Sequence, residues 1–217
     1  RDLDGNYKNG SEAYFDTVLN ITWLADANYA KSTGYPQAGL MSWSDAMDFS
    51  RNVSVYGEMG WRLPSTSAAQ DVTNGANVNK YNITSSSVEL GYMYYVNLKL
   101  LAPYSESGDY QYGWGAKSDG PQPIPGLPGF FINNLYGNFW TSVTHPYQGG
   151  GTAFTFDFRD GFQNQYPKEW YQPLSIWLVH DGDVGASMVP EPSTYALMLA
   201  GLGAVAGAAR ARRRASC

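Results

Sequence analysis

"GTAFTFDFRDG", residues 151–161, decides the fold class of this chain. Phe154, Phe156 and Phe158 alternate with Thr155 and Asp157, which is the two-residue period of a half-buried strand. Arg159, Asp160 and Gly161 then give a turn signal that leads into another short strand. Working outward, "FFINNLYGNFWTSV" (130–143) and "LSIWLVHDGDV" (174–184) read as strands, and so does "YFDTVLNITWL" (14–24), rich in β-branched and aromatic residues. Helices interrupt this pattern twice. In "MSWSDAMDFSRNV" (41–53), Ser42 is a plausible N-cap, and Trp43, Ala46, Met47 and Ser50 then share one helical face. In residues 87–101, Leu90, Met93, Tyr94 and Leu98 fall at helical spacing. Residues 103–129 are rich in Gly and Pro and read as a long loop. The expectation is an α+β domain of two helices and antiparallel strands.

Composition narrows the class. The 217 residues include 24 Gly, 17 Tyr and 7 Trp, and only 15% are charged. That profile suits a loop-rich extracytoplasmic fold, because large aromatics supply the burial that offsets ordering entropy. Before Val189 the chain carries ten basic and eighteen acidic residues, a net charge of −8. Such a balance argues against nucleic acid, whose phosphates demand basic patches, and against anionic polysaccharide. Cys217 is the single cysteine, so an internal disulfide and a cysteine-based metal site or nucleophile are excluded.

Residues 189–217, "VPEPSTYALMLAGLGAVAGAARARRRASC", differ from everything before them. The run 193–209 holds 17 uncharged residues, about 25 Å as a helix and so at the lower edge of a membrane span. Arg210, Arg212, Arg213 and Arg214 follow it and predict a cytoplasmic C-terminal end. Pro190, Glu191 and Pro192, then a short apolar run, then arginines, is an order that resembles the PEP-CTERM protein-sorting signal of Gram-negative bacteria. The resemblance implies recognition by an exosortase, a membrane-embedded cysteine protease. It further implies a transient helical membrane anchor, removal of the tail, and delivery to the cell surface or matrix. The chain thus divides into a body, 1–188, and a sorting tail, 189–217.

The body carries a second resemblance. "LNITWLADANYA" with Trp23, "MSWSDA" with Trp43, "GWRLPS" with Trp61, Arg62, Leu63 and Pro64, "NFWTSV" with Trp140, and "FDFRDG" follow the order of the Lcl C-terminal domain family. That family implies a C-type-lectin-like architecture. Departures bear on function. The disulfides and the calcium–sugar motifs of C-type lectins are missing, and "FWTS" (139–142) lacks the Asn-Asp pair. The two cysteines that the related formylglycine-generating enzymes need are missing as well.

Candidate chemistry is thin. His145 and His180 are the only histidines, and with no cysteine nucleophile or serine elbow beside them the body reads as non-enzymatic. Asp157, Asp160, Asp181 and Asp183 are either calcium ligands or solvated turn carboxylates. Trp61 and Arg62 are either a binding edge, or a core indole beside a guanidinium paired with a carboxylate. Tyr104, Tyr110, Tyr112, Trp114 and Tyr147 lie in loops of Tyr, Gly, Ser and Asp, where flat rings stack on sugars, or else they pack on themselves. The expected function is glycan or matrix binding at the surface, without a required cofactor. The alternative is a structural subunit that assembles with copies of itself.

Overall fold

The chain's first regular element is a hairpin, β1 (Ala13–Asp16) and β2 (Ile21–Leu24). Asp16 Oδ1 accepts from the Val18 and Leu19 amides, and Asn20 takes the left-handed conformation that closes the turn. The computed structural model describes residues 1–6, 8, 10–67, 81–116, 122–123, 130–131, 137–169 and 173–185. Within it, Arg1–Gly185 forms one compact unit.

Helix α1 (Tyr29–Ser32) is a single turn, and α2 (Trp43–Asn52) is the longer helix that the capping pattern predicts. Ser42 caps α2, its Oγ accepting from the Asp45 amide at 3.2 Å. Strand β3 (Trp61–Arg62) follows. The second predicted helix is shorter than its apolar spacing implies: α3 (Glu89–Tyr92) runs into one wide turn, Met93–Asn97. There the Leu98 amide donates to Met93 O, and Lys99 at φ 53° ends the helix.

Three antiparallel groups hold the strands. β9 (Val179–Asp181), from the far end of the body, inserts between β2 and β3, giving the order β1-β2-β9-β3. β4 (Gln122–Pro123), within the predicted loop, and β5 (Phe130–Phe131), at the start of the predicted strand 130–143, form a short ladder. β6 (Asn138–His145), β7 (Thr152–Asp157) and β8 (Phe162–Pro167) form a meander, bulged between Trp140 and Thr144. Of the predicted strand 174–184 only β9 is regular. The rest stitches the two larger sheets together: Ser175 bonds the Trp140 amide and Asn138 O, and Leu178 O accepts from the Leu24 amide.

The meander corrects one expectation. Sequence alternation predicts a wet face for Thr155 and Asp157, yet every residue of β7 is buried. The reason is that apolar clusters cover both faces of the sheets. Phe139, Phe156, Trp23, Trp177 and Val179 join one cluster, onto which Leu90, Met93 and Tyr94 pack. Trp140, Ala153, Leu24, Ile176 and Leu178 join the other, which takes Ala46 of α2 together with Trp61 and Leu63. Alternating residues thus serve opposite clusters, with a helix outside each. The indole N–H groups of Trp61, Trp140 and Trp177 donate to the backbone carbonyls of Glu58, Met41 and Leu24, so these rings are buried without an unsatisfied donor. Among the described residues, no helix is long and apolar enough to cross a membrane.

Candidate functional site

Arg62 sits beside the core indole of Trp61, at the junction of β3 and α3. It makes five hydrogen bonds: two to the Glu89 carboxylate (2.8 and 2.9 Å), two to Asp181 Oδ1 (2.7 and 2.9 Å) and one to Leu63 O. A guanidinium has five N–H donors, so these bonds saturate it. Burial alone lowers the basicity of Arg62, but the bonds to Glu89 and Asp181 override that and raise its pKa. Glu89 Oε2 also accepts from the Ser65 amide at 2.6 Å, tying "LPS" to α3. Leu63 and Pro64 are buried, and Trp43, half-buried, donates from Nε1 to Thr141 O. This constellation joins sheets and helices and has no donor to spare for a ligand.

The tyrosine loop is built differently. Tyr104 and Tyr110 pair as an antiparallel bridge, so residues 104–110 are a small hairpin. The Ser105 amide donates to Asp109 O and the Gly108 amide to Ser105 O, with Gly108 at φ 88° closing the tip. Its base is clamped. Gln111 donates from its amide to Pro103 O and from Nε2 to Ala102 O, Asn82 Nδ2 donates to Tyr104 O, and core Tyr94 donates its hydroxyl to Leu101 O. Gly115, at φ 77°, passes so close to Arg159 O that a Cβ there would strike it. The hairpin is therefore anchored at its base, and its rings are left outside.

Those rings form one surface. Tyr104, Tyr110 and Tyr112 are 53%, 51% and 88% exposed. Tyr104 and Tyr110 stand edge-to-face at 5.8 Å, and Tyr110 and Tyr112 at 5.1 Å. Trp114 Nε1 donates to the Tyr110 hydroxyl at 3.0 Å. Four of the five sequence candidates thus come together, while the Tyr147 side chain lies outside the described residues.

Beside them is a pair that the sequence did not single out. The Tyr81 hydroxyl donates to Asp160 Oδ2 at 3.2 Å, and the Tyr81 ring packs on Phe162 at 4.8 Å. Burial, then Asp160, pushes the Tyr81 phenol up to about 12, and Tyr104 is near enough to add to that shift. Burial, then Asp157, raises the Asp160 carboxyl in turn. The only sequence signal for this pair is the turn 159–161, which carries Asp160; its partner comes from a distant segment.

The four candidate calcium carboxylates do not converge on one point. Asp157 pairs with Arg159 and accepts from Asn138 Nδ2, while Asp160 accepts from Tyr81 and the Phe162 amide. Asp181 binds Arg62, and Asp183 binds Arg1 at 2.5 Å. Among the described residues, the group close enough to share a cation is Asp2, Asp4 and Glu12, whose oxygens lie within 4.8 Å of one another. The histidines also part: His145 packs on Phe154 in the meander, and His180 on Trp61 in the four-stranded sheet.

Pro190, Glu191, Pro192, Arg210, Arg212, Arg213 and Arg214 lie outside the described residues. The sequence profile of the PEP-CTERM protein-sorting motif matches residues 189–214. No curated protein matches the chain. The motif marks an exported protein sorted to the cell surface, with an exosortase as its processing partner.

Proposed function

We propose that the body is a non-enzymatic, lectin-like protein of the cell surface or extracellular matrix, and that it holds glycan on the tyrosine hairpin. The observation that carries this reading is the exposure of three tyrosine rings on a backbone clamped at its base. A flat phenol ring covers the apolar face of a pyranose, and a preformed loop loses little entropy on binding. The adjacent Tyr81 and Asp160 supply a hydroxyl and a carboxylate for sugar hydroxyls. The acidic body disfavours uronic or sulfated chains, so the ligand class is neutral glycan. The sorting tail serves as a temporary membrane anchor in a Gram-negative envelope until the exosortase releases the body.

A glycan array probed with the exported protein, with and without calcium, tests the reading. Replacing Tyr112 by Ala (Y112A) should weaken the signal about tenfold. Failure to bind any glycan in either condition, with oligomers that grow with concentration in light scattering, would instead favour a self-assembling matrix subunit. Deleting residues 189–217 should abolish surface sorting. Undiminished surface retention of the shortened chain would remove the anchor from this account.

A further inference from the structure

Surface proteins are commonly consolidated by disulfides, and the body has no thiol from which to make one. Cys217 is the single cysteine and lies in the sorting tail. A covalent link between copies of the body would have to come from another side chain, and tyrosine has the chemistry for it. A phenol that gives up one electron and one proton becomes a radical. Two such radicals join through the ring carbons that flank the hydroxyl-bearing carbon.

The structure divides the phenols by access. Tyr94 donates to Leu101 O, Tyr95 to Gly161 O and Tyr81 to Asp160, and burial raises all three above the ordinary tyrosine value. Those rings are turned inward. Tyr56 is 49% exposed, but it touches no other ring among the described residues. Tyr104, Tyr110 and Tyr112 are both exposed and in mutual contact, and Tyr112, at 88%, is the most exposed of the described large hydrophobic side chains.

The hairpin rings form a connected set. Trp114 Nε1 donates to the Tyr110 hydroxyl, and Tyr110 meets Tyr104 at 5.8 Å and Tyr112 at 5.1 Å. A radical formed on any of the four therefore has a neighbouring ring from which to draw an electron. The same geometry opposes coupling inside the hairpin. Interplanar angles of 73° and 87° aim the edge of one ring at the face of the next, whereas the new bond joins edge to edge. The clamped base holds the rings in that arrangement. Tyr112 has its edges in solvent, open to a second copy of the chain.

We propose that Tyr112 is a site of oxidative dityrosine cross-linking between two copies of this protein, with Tyr104, Tyr110 and Trp114 relaying oxidation to it. The oxidant is hydrogen peroxide, used through a haem peroxidase. Each Tyr112 phenol loses one electron and one proton, and the two radicals form a carbon–carbon bond between their flanking ring carbons. The hydrogens on those carbons then move to the two oxygens and restore the phenols. Two phenols and one peroxide thus give one biphenol and two waters. The proposal does not rest on the glycan reading, since it uses the edge of the ring and a sugar would cover its face.

The test treats the exported protein with hydrogen peroxide and a haem peroxidase, followed by a reducing gel, so that no disulfide contributes, and by peptide mass mapping. The expected product is a dimer with dityrosine fluorescence in which the peptide carrying Tyr112 is joined to its own copy. Tyr112→Phe should lose most of that dimer while keeping the melting temperature and, because the stacking face remains, the glycan signal. Tyr110→Phe and Trp114→Phe should slow the appearance of the dimer, and Tyr56→Phe should leave it unchanged. No dimer in the parent, an undiminished dimer in Tyr112→Phe, or cross-links mapped mainly to other tyrosines would each overturn the proposal. A dimer that forms as fast in both Tyr110→Phe and Trp114→Phe as in the parent would remove the relay.

Discussion

The molecule uses its aromatic residues in two ways, and the contrast between them separates folding from recognition. Trp61, Trp140 and Trp177 are at most 1% exposed, and each indole donates to a backbone carbonyl from a distant or turn segment. Tyr104, Tyr110 and Tyr112 stand on a hairpin held by its own backbone bonds and by a few neighbours at its base. The first set is held by what it buries. The second is held from below and keeps its faces in water. High aromatic content alone does not distinguish these uses; what packs around each ring does.

Replacing Trp61 by Ala should have the largest effect. It empties a site in the second cluster and should cost about 3–5 kcal/mol, read as a fall in melting temperature by calorimetry. A variant of parental stability that lost only ligand binding would move Trp61 from the first set to the second. Arg62→Met comes next, at about 3 kcal/mol, because it strands the buried Glu89 carboxylate. The double replacement with Glu89→Leu should recover most of that loss, and a failure to recover would show that Arg62 acts through something other than this pair. Tyr112→Ala, the variant already used against glycan, should change stability by less than about 0.5 kcal/mol, as exposed positions do. A larger loss would place Tyr112 with the structural rings. The smallest effect is expected at Asp160. Burial, then Asp157, raises its folded-state pKa above the ordinary carboxylate value. The stability that it contributes is therefore present below the unfolded value and is lost as pH rises through the raised folded value. Asp160→Asn removes this titration, so the variant should be at least as stable as the parent at neutral pH, and its advantage should shrink on acidification. Denaturation midpoints across the carboxylate range check the sign.

Much of the fold was legible because its signals are local. Ser42 three residues before Asp45 announces the cap of α2, and Gly161 after Arg159 and Asp160 announces the turn between β7 and β8. The spacing of Leu90, Met93 and Tyr94 locates α3, although it overstates the helix length because Lys99 turns the chain. The site was legible in part. A loop dense in Tyr and Gly points to the hairpin, but nothing near Asp160 in sequence names Tyr81 as its partner.

By itself the sequence determined the mixture of helices and antiparallel strands, the acidic low-charge body and the sorting motif at residues 189–214. These rest on periodicity, composition and contiguous order. Tertiary structure alone decided that β7 is buried on both faces, that β9 enters between β2 and β3, and that Arg62 is consumed by Glu89 and Asp181. Each of these depends on segments far apart in the chain meeting across a shared core. Alternation can mark the two faces of a strand, but only the packed neighbours decide whether the second face is wet.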